Sequence, residues 1–105
     1  MSAPSPLVAP RSRILGTGHH LPPIVRSNHD LLRTVATSDA WIVERTGIKE
    51  RRIAPEGVVT SDMAAAAALA SLESSGMRAS DLDMIIVATV TPDTPMPATA
   101  VFLQQ

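Results

Sequence analysis

The spacing of apolar positions changes along the chain, and each change predicts an element. Ile14 and Leu15, followed by Gly16, Thr17 and Gly18, read as a strand running into a turn, and Leu21-Pro22-Pro23 ends regular pairing. Asn28 is a suitable N-cap for a short helix through Asp30, Leu31, Leu32 and Arg33. Ser38 can cap a second helix through Trp41, Ile42 and Val43 that ends at Gly47, so the two helices are expected to share a small apolar cluster. Residues 48–54 alternate Ile48, Glu50 and Arg52 against Lys49, Arg51 and Ile53. That face is too polar for a central strand and predicts an exposed hairpin edge or an extended connection.

Ser61 is placed as the cap of the clearest helix, residues 62–74, with Gly76 as its stop and Asp62 in the first turn. The five alanines of residues 64–68 keep helix propensity high while removing bulk, so the backbone can approach a sheet or helix closely. Residues 84–89, MIIVAT, form a continuous β-branched apolar run of the kind that is covered on both faces, the signature of a central strand in an α/β layer. The Pro-rich loop TPDTPMP follows at the carboxyl end of that strand, where open α/β sheets place binding sites. Pro97 then opens a helix over residues 98–105 that shows no C-cap signal. These elements expose more apolar surface than they can cover, so the expectation is an incomplete α/β domain over residues 13–105, preceded by a flexible arm over residues 1–12.

Composition narrows the function classes. Apolar residues make up 45% of the chain, while nine basic and ten acidic residues are interspersed. Such a balance offers no electrostatic footprint for nucleic acid or an acidic membrane. The chain contains no cysteine, so it carries no disulfide, thiolate metal site or cysteine nucleophile. The opening MSAPSPLVAP lacks the apolar core of a signal peptide, and the longest apolar run, residues 63–70, falls far short of the ~20 residues that span a bilayer, so a soluble protein is expected.

Most small motifs have plain structural readings. Gly16-Thr17-Gly18 lacks the third glycine or Lys-Ser/Thr of a phosphate loop and reads as a turn at a strand end. His19 and His20 point opposite ways on an extended chain and have no third ligand at metal spacing, so no metal site is expected. Asp62, Asp81 and Asp83 stand at element ends, where caps and turns use carboxylates. Residues 37–52, TSDAWIVERTGIKERR, are different, because they hold the only tryptophan with Arg45 four positions on, along one helical face. Two readings stay open on the residues alone: a packed helix end, or a flat surface on which a planar anionic ligand stacks beside a guanidinium.

The succession GTGHHLPP, SNHDLL, TSDAWIVERTGIKERRI, an Ala-rich helix, DLDMIIVATVTPD and PATAVFLQQ resembles the amino-terminal part of the beta-ketoacyl-acyl carrier protein synthase III family, in the thiolase superfamily. The specific parts are Asp39, Trp41, Ile42, Arg45, Thr46 and Gly47 with the basic strand after them, and IIVAT-x-TPD over residues 85–93. The resemblance implies a partial thiolase-like α/β fold, part of a five-layer αβαβα architecture, from a cytoplasmic homodimeric acyltransferase. It also implies the reaction: decarboxylative condensation of an acyl-CoA with malonyl-acyl carrier protein to start fatty acid synthesis. Acyl-CoA is then a substrate and no cofactor or metal is needed.

The Cys, His and Asn that carry this chemistry in the family have no counterparts here, and the chain alone is expected to be inactive. What the resemblance carries over is the coenzyme A entrance: Trp41 stacking on the adenine, Arg45 toward the phosphates and Thr37 as a hydrogen-bonding candidate. Related enzymes prime polyketides or serve other secondary metabolism, and a non-catalytic module for coenzyme A binding or dimer contacts is the remaining alternative. His19-His20 occupies a loop before Leu21-Pro22 that varies in the family, and the amino-terminal arm to Arg11 has no family counterpart.

Overall fold

The computed structural model describes residues 11–105. In chain order the elements are β1 (Ile24–Ser27), α1 (Asn28–Leu31), α2 (Asp39–Thr46), β2 (Glu50–Ile53), α3 (Thr60–Ser75), a 3₁₀ turn (Ala79–Asp81) and α4 (Thr99–Leu103). Mixed helix and strand content agrees with the α/β expectation. Most of the arm expected over residues 1–12 lies outside the described residues.

Strands β1 and β2 pair antiparallel, Ile24 opposite Ile53 and Ser27 opposite Glu50, with α1 and α2 held in the connection between them. The basic segment is thus an edge strand, as its polar alternation predicts, although its partner is joined through two helices and not by a hairpin turn, and β1 had no sequence signal of its own. Helix α1 is capped one residue earlier than expected. Ser27 Oγ accepts from the Asp30 amide at 3.2 Å, and the Asp30 carboxylate accepts from the Ser27 amide at 2.9 Å, closing a capping box. The bond from the Ser27 amide, with a second that the Ser27 hydroxyl donates to the same carboxylate at 2.9 Å, holds the Asp30 carboxyl below the usual aspartate range. Asn28, released from capping, turns inward and is 1% exposed.

The cluster shared by α1 and α2 is therefore polar as well as apolar. Asn28 Nδ2 donates to Asp39 Oδ1 and to the Ile48 carbonyl, each at 2.8 Å, and Asn28 Oδ1 accepts from Arg51 Nη2 at 2.8 Å. The Asn28 amide donates to the Lys49 carbonyl at 3.1 Å. Ile42 is the one buried hydrophobic residue among those described, at 8% exposure.

Helix α3 starts at Thr60, one residue before the expected cap, so Ser61 lies inside the first turn. Its amide ends are satisfied from elsewhere. The Asp62 carboxylate accepts from the Val59 amide at 2.9 Å, and the Asp93 carboxylate accepts from the Ser61 amide at 2.8 Å and from the Ser61 hydroxyl. Thr60 Oγ1 also donates to the Thr91 carbonyl, so the Pro-rich loop closes the helix N-terminus. Gly76 ends α3 in the left-handed conformation, φ 71°, as expected.

The alanine-rich face does bring another backbone close. A Cβ at Gly18 would lie 2.4 Å from Ala67 O and Ser71 N, and one at Gly16 would lie 2.7 Å from Ser71 O and Ser75 N. Ala67, Ser71 and Ser75, four residues apart, form a ridge of small side chains onto which the two glycines fit, and Ser71 Oγ donates to the Gly16 carbonyl at 3.3 Å. Gly16-Thr17-Gly18 is thus a close-packing device against α3 in place of the expected turn.

Neither the strand expected at Ile14 nor the central strand expected over residues 84–89 is paired among the described residues. The segments around Ile14 and over residues 84–89 have no ladder, and Ile14, Met84 and Ile86 are 83%, 75% and 82% exposed. An apolar run favours extension, but a ladder needs a neighbour's amides and carbonyls. The radius of gyration, 20.1 Å, exceeds the roughly 13 Å of a compact 100-residue domain. Leu69, Leu72, Leu82, Met84 and Phe102 line an open groove of about 750 Å³ between α3, α4 and the unpaired apolar run. Helix α4 covers residues 99–103 of the expected 98–105. No helix among the described residues is long and apolar enough to cross a membrane.

Candidate nucleotide-binding surface on α2

Helix α2 is defined at both ends by its own sequence. Ser38 Oγ accepts from the Trp41 amide at 3.1 Å, and Gly47, at φ 71°, donates its amide to the Val43 carbonyl at 2.8 Å. Thr46 fixes the exit, donating Oγ1 to the Ile42 carbonyl at 2.7 Å and accepting from the Ile48 amide at 3.1 Å. With Ile42 turned into the molecule, its neighbour Trp41 must turn outward, because successive helical residues are about 100° apart.

Trp41 is 53% exposed, so its ring is not core packing among the described residues. The Arg45 guanidinium lies over the ring, 4.7 Å from the centroid, within cation–π range. An exposed indole with a fixed cation beside it offers a π-face and five directed donors, a combination suited to an aromatic base joined to phosphate.

Thr37 stands two residues before the helix. Its Oγ1 is enclosed and has no hydrogen-bond partner among the described residues. The pair itself lies outside the two concavities described, the apolar groove beside α3 and a smaller one of about 430 Å³ lined by Ile24, Arg26 and Arg33.

Of the other residues singled out, His19 and His20 are exposed, and no group of His, Cys, Asp or Glu able to hold a metal occurs among the described residues. Asp62 and Asp81 cap, as expected; the Asp81 carboxylate accepts from the Arg78 amide at 2.9 Å and is held below its usual range by that bond and the Arg78 guanidinium. Asp83 is exposed, and its carboxylate makes no hydrogen bond among the described residues. Asn28 and Asp93 escaped the sequence reading. The SNxD string hinted at a cap but not at which residue would take it, and Asp93 caps a helix 32 residues earlier, beyond any local pattern.

No family model matches the chain. The beta-ketoacyl-[acyl-carrier-protein] synthase III of Laribacter hongkongensis is 53% identical over 96 residues, 91% of this chain and 30% of the relative. That of Thiobacillus denitrificans is 54% identical over 93 residues, 89% of this chain and 29% of the relative. Among solved structures, 3-oxoacyl-[acyl-carrier-protein] synthase III from Aquifex aeolicus superposes with TM-score 0.77 and 48% identity, covering 87% of this chain and 29% of that one. The priming beta-ketosynthase of the R1128 polyketide pathway superposes at TM-score 0.79 and 32% identity, over 88% and 28%. The chain spans about 30% of the length of the curated relatives it matches. By sequence along nine-tenths of its length and by a thiolase-like fold, it belongs to the beta-ketoacyl-[acyl-carrier-protein] synthase III family, matching a segment of those proteins.

Proposed function

We propose that this segment forms the acyl-CoA entrance of a beta-ketoacyl-acyl carrier protein synthase III. The exposed Trp41–Arg45 stack supports the reading: Trp41 takes the adenine, and Arg45, held over the ring, meets the phosphates. Thr37 is a hydrogen-bonding candidate by the family resemblance alone, since its enclosed Oγ1 would have to turn outward to reach a ligand. The reaction is acyl transfer from CoA to a cysteine, followed by attack of the carbanion left when malonyl-acyl carrier protein loses carbon dioxide. The residues 11–105 contribute binding and orientation to it, since the chain holds no cysteine. The intact enzyme acts as a cytoplasmic homodimer, with acyl-CoA and malonyl-acyl carrier protein as substrates and no separate cofactor.

The similarity to a polyketide-priming ketosynthase favours a second reading, in which the same entrance serves a different acyl donor or acceptor. A full-length synthase carrying this segment, given acetyl-CoA and malonyl-acyl carrier protein, is expected to release carbon dioxide and free CoA in equal amounts. Activity only with longer acyl-CoAs or another acceptor would replace the first reading by the second. CoA binding without turnover on any donor would leave a non-catalytic module.

A further inference from the structure

Trp41 is exposed and has little packing of its own, so its position depends on where α2 is held. Helix α2 buries only Ile42, which gives few apolar contacts to orient it. The polar cluster supplies what packing does not. Asn28 Nδ2 bonds Asp39, the first residue of α2, and the carbonyl of Ile48, the residue just past its Gly47 cap. One amide nitrogen thus holds both ends of the helix, while Asn28 Oδ1 is fixed by Arg51 of β2 and the Asn28 backbone by Lys49. Asparagine suits this place because it presents two donors and an acceptor on one short planar group. In a site 1% exposed, a lost partner leaves a buried group unsatisfied.

We propose that Asn28 is a positioning residue for nucleotide binding, a clamp that sets the orientation of α2 and with it the Trp41–Arg45 surface. The inference rests on the reading of that surface as the acyl-CoA entrance.

The test uses a full-length synthase carrying this segment and labelled with 5-fluorotryptophan, the Trp41 fluorine line being assigned by its loss in Trp41→Phe. Asn28→Asp removes both amide donors while keeping the bond to Arg51. It is expected to raise the acyl-CoA KM about 3- to 10-fold, the worth of one or two net hydrogen bonds, with kcat unchanged and the Trp41 line shifted. Adding Asp39→Asn to Asn28→Asp restores a donor–acceptor pair at the start of α2 and should recover most of both changes. If Asn28→Asp fails to fold, Asp39→Ala, which frees only the start of α2, should give the same pattern at smaller amplitude. A KM and a line both unchanged, or a KM change with the line unmoved, overturns the clamp. A shifted line with unchanged KM upholds the clamp and removes the acyl-CoA reading instead.

Discussion

The Arg45 guanidinium and the Trp41 ring face each other at 4.7 Å, one helical turn apart on the exposed side of α2. Each residue limits the other's freedom, so a ligand meeting this surface finds a ring and a cation already aligned. The exposure of Trp41, 53%, follows from a neighbour: Ile42 occupies the inward direction, and the indole cannot share it.

Replacing Arg45 with methionine keeps much of the stem that covers the ring and removes the charge. In a full-length synthase carrying this segment, CoA binding should weaken by about 1 kcal/mol or somewhat more, in the range of one charge-assisted bond. The remaining affinity should fall less steeply with salt than the parent's, read from titrations at several ionic strengths. An identical salt slope would place Arg45 away from the phosphates.

Gly18→Ala should destabilise the same protein by about 1–3 kcal/mol, because the new methyl meets backbone atoms of α3 that cannot yield like a flexible side chain. Thermal or denaturant unfolding measures it. A neutral result would mean that the GTG segment and α3 are not packed backbone to backbone.

Asp93→Ala removes the acceptor for the Ser61 amide and hydroxyl and should cost about 1 kcal/mol, the usual value of an N-cap, with faster exchange of the first amides of α3. Unchanged exchange at Ser61 would show that the loop does not cap the helix.

These cases mark what could be read along the chain. Ser38, Gly47 and Gly76 act locally, on amides and carbonyls within a few residues, and the ends of α2 and the stop of α3 were accordingly legible. The basic edge strand was legible from alternation. Asn28 and Asp93 bond residues 11 and 32 positions away, which no local pattern encodes. The apolar runs at Ile14 and over residues 84–89 carry the composition of strands, but a ladder requires a neighbour, and none pairs with them among the described residues. As for the site, the family motif singled out Trp41 and Arg45, while only the structure showed that Ile42 is the buried residue of α2 and that Trp41 is exposed.

Asp30 and Asp81 respond to pH in a defined direction. Both carboxyls are held below the ordinary aspartate value of 3.8 by bonds from Ser27 and Arg78. A depressed folded value means that these caps stabilise above the unfolded value and are lost as pH falls through the folded one. The Ser27 and Arg78 amide resonances should therefore titrate with midpoints below 3.8. Midpoints at or above that value would contradict the capping bonds.

The most direct measurement is the CoA affinity of a full-length synthase carrying this segment, compared with its Trp41→Ala variant by calorimetric titration. If adenine stacks on Trp41, the variant should bind about 1–3 kcal/mol more weakly, with an unchanged unfolding midpoint. Equal affinity in a stably folded variant would contradict the entrance reading.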